Sequence, residues 1–81
     1  MNRLELETII KNAIVTIAPD AEPEGIASDD DLRDELDLDS MDFLNIIIAV
    51  SKEAGVNIPE SDYAQVLTMD AMCHYVEQRL H

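Results

Sequence analysis

Asp39-Ser40-Met41-Asp42-Phe43-Leu44-Asn45-Ile46-Ile47-Ile48-Ala49-Val50-Ser51-Lys52-Glu53-Ala54-Gly55 is the stretch whose pattern decides the architecture. At 100° per residue, Phe43, Ile46, Ile47, Val50 and Ala54 fall on one face, which predicts a helix over about Ser40 to Ala54. Gly55 is a good C-terminal stop. Asp39 or Ser40 can cap the start, and Asp42 suits the positive end of the dipole. Met41, Leu44 and Ile48 widen the apolar arc by a further sector, beside Asn45 and Lys52. A helix apolar over so much of its girth needs two things to pack against. One is its own core. The other is either the third helix and the preceding loop, or a partner protein or ligand.

Working outward, residues 3–18 read as a first helix. Leu6, Ile9, Ile10, Ala13, Ile14 and Ile17 share one arc, and Pro19 stops it. Residues 19–39 form a long acidic connection. Ile26, Leu32, Leu36 and Leu38 are expected to pin it to the core, with a helical turn near Leu32 to Leu36. Beyond Gly55, Ile58-Pro59 closes an extended stretch and residues 60–66 allow one or two helical turns. Thr68 can cap a last helix to about Leu80, with Met69, Met72, Cys73, Val76 and Leu80 on one face. The predicted class is all-α, with three main helices plus one short one and a long loop between the first two. Only 4% of residues are aromatic although 47% are apolar, which favours packed helices over a sheet.

The 81 residues suit one domain, which buries only about 60% of its unfolded-chain surface. Eighteen acids face five bases, a net charge of -13. Nucleic acid and anionic membrane are excluded as natural partners, since both require Lys and Arg. Basic protein surfaces are the natural complement. A lone Cys73 makes no internal disulfide. There is no signal-peptide pattern and no long apolar run, so a cytoplasmic monomer is expected.

The chemistry of the chain narrows to Ser40. Read from its neighbours alone, it is either a helix cap or a site of covalent attachment. A phosphoryl-linked group suits a helix start, while Asp39 and Asp42 would serve as handles for a basic enzyme that installs it. No His, Lys or second serine nearby activates Ser40 as a nucleophile, so an external enzyme must supply the base. The run Asp29-Asp30-Asp31…Asp34-Glu35…Asp37-Asp39 fails the EF-hand template, with Asp34 where Gly is needed and Ser40 where Glu is needed. His74 and His81 lack metal-ligand spacing with Cys73, which reads as a core thiol. Tyr63 and Tyr75 lack a paired acid or base at a readable spacing.

Asp39-Ser40-Met41 also carries a resemblance. With the approach Asp31-Leu32-Arg33-Asp34-Glu35-Leu36, then Ile58-Pro59, Thr68, Ala71, Tyr75 and Val76, the chain resembles an acyl carrier protein along most of its length. The resemblance implies a four-helix bundle and a single carrier domain over 1–81. It implies 4'-phosphopantetheine on Ser40, transferred from coenzyme A by a phosphopantetheinyl transferase. Acyl groups would ride on it as thioesters, delivered to acyl-transferring and condensing enzymes of fatty acid, polyketide or related synthesis. Such a protein is a shuttle and not a catalyst. The family's docking surface matches Asp39, Met41, Asp42, Leu44 and Ile48. Asp37 replaces a common glycine, and Asn45, Ser51 and Lys52 stand where fatty-acid carriers often have acids, which fits a specialised carrier at least as well. The alternatives are a helical interaction adaptor with Ser40 only a cap, and a peptidyl or aminoacyl carrier; the acidic surroundings of Ser40 argue against the latter.

Overall fold

A computed structural model describes residues 2–80. Four α-helices carry the architecture: α1 (Arg3–Ile17), α2 (Leu32–Glu35), α3 (Ser40–Ala54) and α4 (Met69–Arg79). Two 3-10 segments, Pro23–Gly25 and Glu60–Gln65, lie between them. Among the described residues no strand forms, and an isolated bridge joins Asp31 to Thr68.

Helix α1 begins where the Asn2 side chain accepts from the Glu5 N–H at 2.9 Å. It ends one residue before the Ala18-Pro19 pair, as proline's exclusion of the preceding helical conformation requires. Leu6, Ile10, Ala13 and Ile14 are buried, with Ile9 and Ile17 at the margin. They pack against α3 and α4. The α3 face predicted from periodicity is the buried one: Phe43, Ile46, Ile47, Val50 and Ala54. Met69, Met72, Cys73, Tyr75 and Val76 complete the core from α4. Each fully buried Leu or Ile side chain contributes about 2 kcal/mol of transfer free energy.

Gly55 ends α3 at φ 71°. That left-handed value lets its N–H and that of Val56 both donate to the Ser51 carbonyl, satisfying an orphan acceptor of the last turn. Thr68 Oγ1 caps α4 by accepting from the Ala71 N–H at 3.0 Å. The helical turns expected within residues 60–66 form as a 3-10 helix, Glu60–Gln65, which buries no residue.

The long connection is less loose than its composition implies. Leu32 is fully buried, and Ile26, Leu36 and Leu38 pack at the core margin. The Leu32 N–H donates to the Leu67 carbonyl at 2.8 Å, and the Asp70 N–H to the Ser28 carbonyl at 2.9 Å. These bonds lash the connection to the entry of α4. Pro23–Gly25 adds a turn that the sequence reading did not anticipate, with Pro23 buried. The acidic run is used locally. Asp30 accepts from the Ala27 N–H, and Asp31 caps α2 by accepting from the Arg33 N–H at 2.9 Å.

Candidate functional site

Helix α2 is one turn long, and its exit aims the chain at Ser40. The Leu38 N–H donates back to the Arg33 carbonyl at 3.0 Å, closing a left-handed cap. Asp37 occupies the left-handed position at φ 53°, the one non-glycine residue with positive φ among those described. This is the place where the carrier pattern commonly has glycine. Aspartate tolerates that conformation better than most side chains. Asp39 then caps α3, its Oδ1 accepting from the Asp42 N–H at 2.8 Å.

Of the two cap candidates, Asp39 and Ser40, the cap is Asp39. Ser40 is the first helical residue, exposed, with no hydrogen bond to its side chain among the described residues. The backbone N–H groups of Ser40 and Met41 likewise have no protein partner, as expected for the first turn of a helix. The hydroxyl is therefore free of structural duty.

Two cavities flank it. One, of about 270 Å³, is lined by Arg33, Ser40, Phe43, Tyr63, Ala64 and Leu67. It lies between the start of α3 and the Glu60–Gln65 segment. The other, of about 430 Å³, is open and acidic, lined by Arg33, Asp34, Asp37, Leu38, Asp39 and Ser40. Sequence reasoning placed Arg33 in the approach pattern without a role of its own. A lone base seven residues ahead of the serine in an acidic stretch was the available signal.

The surplus apolar sector of α3 stays uncovered. Met41 is 62% and Ile48 51% exposed, while Leu44 is half-buried. Tyr63 of the Glu60–Gln65 helix lines a shallow cavity with Ile48 yet leaves it half exposed. Asp39 is exposed beside them and Asp42 half-buried. Lys52 follows on the same line of the helix and makes no ion pair among the described residues, unlike Arg3, Lys11, Arg33 and Arg79.

Away from this end, Cys73 is buried, and desolvation pushes its thiol up to about 11, which keeps it protonated and inert at neutral pH. Tyr75 does have an acid partner: its hydroxyl donates to Asp62, and Arg79 lies 3.6 Å over its ring. The tyrosine is buried, and burial followed by that bond raises its pKa above the usual value. Thirteen residues separate Tyr75 from Asp62, so no local spacing reveals the pair. This trio ties the 3-10 helix to α4. His81 lies outside the described residues.

A family model for the phosphopantetheine attachment site matches residues 8–76. The acyl carrier protein of Thermosynechococcus vestitus is 26% identical over 80 residues, 99% of this chain and 98% of that one. Acyl carrier protein AcpXL of Rhizobium meliloti is 35% identical over 52 residues, 64% of this chain and 55% of its own. The solved structure of acyl carrier protein from Enterococcus faecalis superposes with a TM-score of 0.74 at 21% identity, over 98% of this chain and 99% of that one. The all-α architecture is that of an acyl carrier. Among the described residues, no helix is long and apolar enough to cross a membrane.

Proposed function

The chain belongs to the phosphopantetheine attachment site family of acyl carriers, and from that premise we propose that Ser40 Oγ is the point where its 4'-phosphopantetheine is attached. The observation that carries this reading is the free, exposed hydroxyl at the first residue of α3, relieved of capping by Asp39. The surroundings fit a phosphodiester. Two unpaired N–H groups and one guanidinium are at hand as donors. Asp34, Asp37 and Asp39 oppose it, which calls for a cation at the same place.

Attachment forms a P–O bond to Ser40 Oγ and breaks the diphosphate P–O–P bond of coenzyme A. Adenosine bisphosphate leaves, and the hydroxyl proton passes to a base on the transferase, since no His or Lys lines either cavity beside Ser40. The group's terminal thiol supplies thioester chemistry. The chain's own residues present that group and dock its users. Family members are carriers rather than catalysts, and the same role is proposed here for residues 1–81 as a single domain.

Docking falls to Asp39, Met41, Asp42, Leu44 and Ile48. Their support is the uncovered apolar strip with carboxylates at its serine end. The strip continues into Asn45 and Lys52 rather than further acids, which favours partners of a specialised pathway over those of bulk fatty acid synthesis. Incubation with coenzyme A and a promiscuous transferase is expected to add one phosphopantetheinyl mass, and Ser40→Ala to abolish it. No mass gain with several transferases would refute the assignment. The exposed strip also suits a plain interaction adaptor. In that case Ser40→Asp would retain full biological function, whereas a carrier loses it.

A further inference from the structure

The two cavities beside Ser40 share two lining residues, Ser40 itself and Arg33. Arg33 is the only base lining either. It reaches the place from one turn of α2, which is fixed by the buried Leu32 and by the Asp31 cap. Its guanidinium carbon lies 5.7 Å from the centroid of Phe43, which lines the less polar cavity. Its present partner holds it loosely: Nη2 to Asp31 Oδ2 at 3.4 Å and Nε to Asp31 Oδ1 at 3.5 Å. A guanidinium has five N–H donors, so most remain for another anion. The side chain is about half exposed.

We infer that Arg33 is a positioning residue for the phosphodiester on Ser40, pairing with it and turning it away from the acidic cavity of Asp34, Asp37 and Asp39. This rests on Ser40 being the attachment point. Covalent connectivity selects the phosphate over any cargo. The phosphorus is bonded directly to Ser40 Oγ, so it is the part of the arm that must lie beside Arg33, whereas a thioester at the far end lies many bonds away. Electrostatics selects the side. Without Arg33, the phosphodiester would add an uncompensated negative charge to a surface that already holds Asp34, Asp37 and Asp39. A planar fork also suits phosphate oxygens better than a point charge does. Asp31 competes for the same donors, and removing its charge is expected to strengthen the new pair.

The test uses the loaded protein made with coenzyme A and a transferase, read by phosphorus NMR. In the wild type the arm's resonance is expected to be displaced from that of free pantetheine phosphodiester, with the displacement shrinking as salt is added. Arg33→Gln should lose the displacement, Arg33→Lys should keep part of it, and Asp31→Asn should enlarge it. The rise in melting temperature on loading should shrink in Arg33→Gln. A resonance at the same position in all four proteins overturns the inference while leaving the attachment reading intact. Failure of the wild type to gain the mass at all overturns both. If Arg33→Gln does not fold, Arg33→Lys and Asp31→Asn still decide, because they must move the resonance in opposite directions.

Discussion

Replacing Asp39 by alanine and, separately, by asparagine divides two duties held by one side chain. As the cap, Asp39 Oδ1 accepts from the Asp42 N–H at 2.8 Å. Loss of an N-cap acceptor costs about 1 kcal/mol. In a domain this small, 1 kcal/mol lowers the melting temperature by about 4–8 °C. Asparagine keeps an acceptor and forfeits only the charge–dipole share, about 0.3–1 kcal/mol. Relief of repulsion from Asp37 and Asp42 offsets part of that share. Asp39→Asn is therefore expected to melt within about 3 °C of the wild type. As a handle for a basic transferase, Asp39 acts through its charge alone. Both variants should then accept phosphopantetheine more slowly at low salt, and the deficit should narrow as salt rises. Circular dichroism melts give the first quantity, and mass spectrometry of timed reactions gives the second. An alanine variant as stable as the wild type refutes the capping argument. An asparagine variant loaded at the wild-type rate in low salt refutes the handle.

Gly55→Ala isolates backbone strain, since a Cβ there meets nothing within 4 Å while φ is 71°; a loss of about 1 kcal/mol in urea titration is expected, and unchanged stability would contradict it. Cys73 has its thiol raised to about 11 from 9.0, so it ionises first in the unfolded chain; its contribution is present below pH 9 and is lost as pH rises toward 11. The difference in alkaline stability slope between wild type and Cys73→Ala should amount to roughly 2 kcal/mol over that interval, and parallel slopes would count against the buried thiol. With a net charge of -13, the melting temperature should climb on adding salt or magnesium, and a flat response would be inconsistent with carboxylate self-repulsion.

The parts legible in the sequence are those governed by period and punctuation. Phe43, Ile46, Ile47, Val50 and Ala54 recur at helical spacing, and Gly55, Pro19 and Thr68 bound the elements, so α1, α3 and α4 emerge within a residue or two. Ser40 stood out because it precedes the longest apolar run. The choice between Asp39 and Ser40 as cap was not legible, because both residue types fill that position and only dihedral angles distinguish them. The 3-10 geometry of Glu60–Gln65 was equally hidden, as its period differs little from that of a short α-turn. Arg33 was visible as a residue but not as a neighbour of Ser40. Their adjacency depends on the left-handed turn at Asp37, a conformation that an aspartate does not announce.

The Glu60–Gln65 segment has one more consequence. It buries none of its six residues, yet the chain is pinned on either side of it by Ile58 and Val66, both buried. Between those pins it spans like a strap, tied to α4 by the bond of Asp62 to Tyr75 and its ion pair with Arg79. A segment with so little sequestered surface opens at low free-energy cost compared with α1 or α3. Tyr63 and Ala64, which line the less polar cavity beside Ser40, ride on this strap. The 270 Å³ cavity is thus bounded on one side by the start of α3 and on the other by a segment that sequesters none of its own residues.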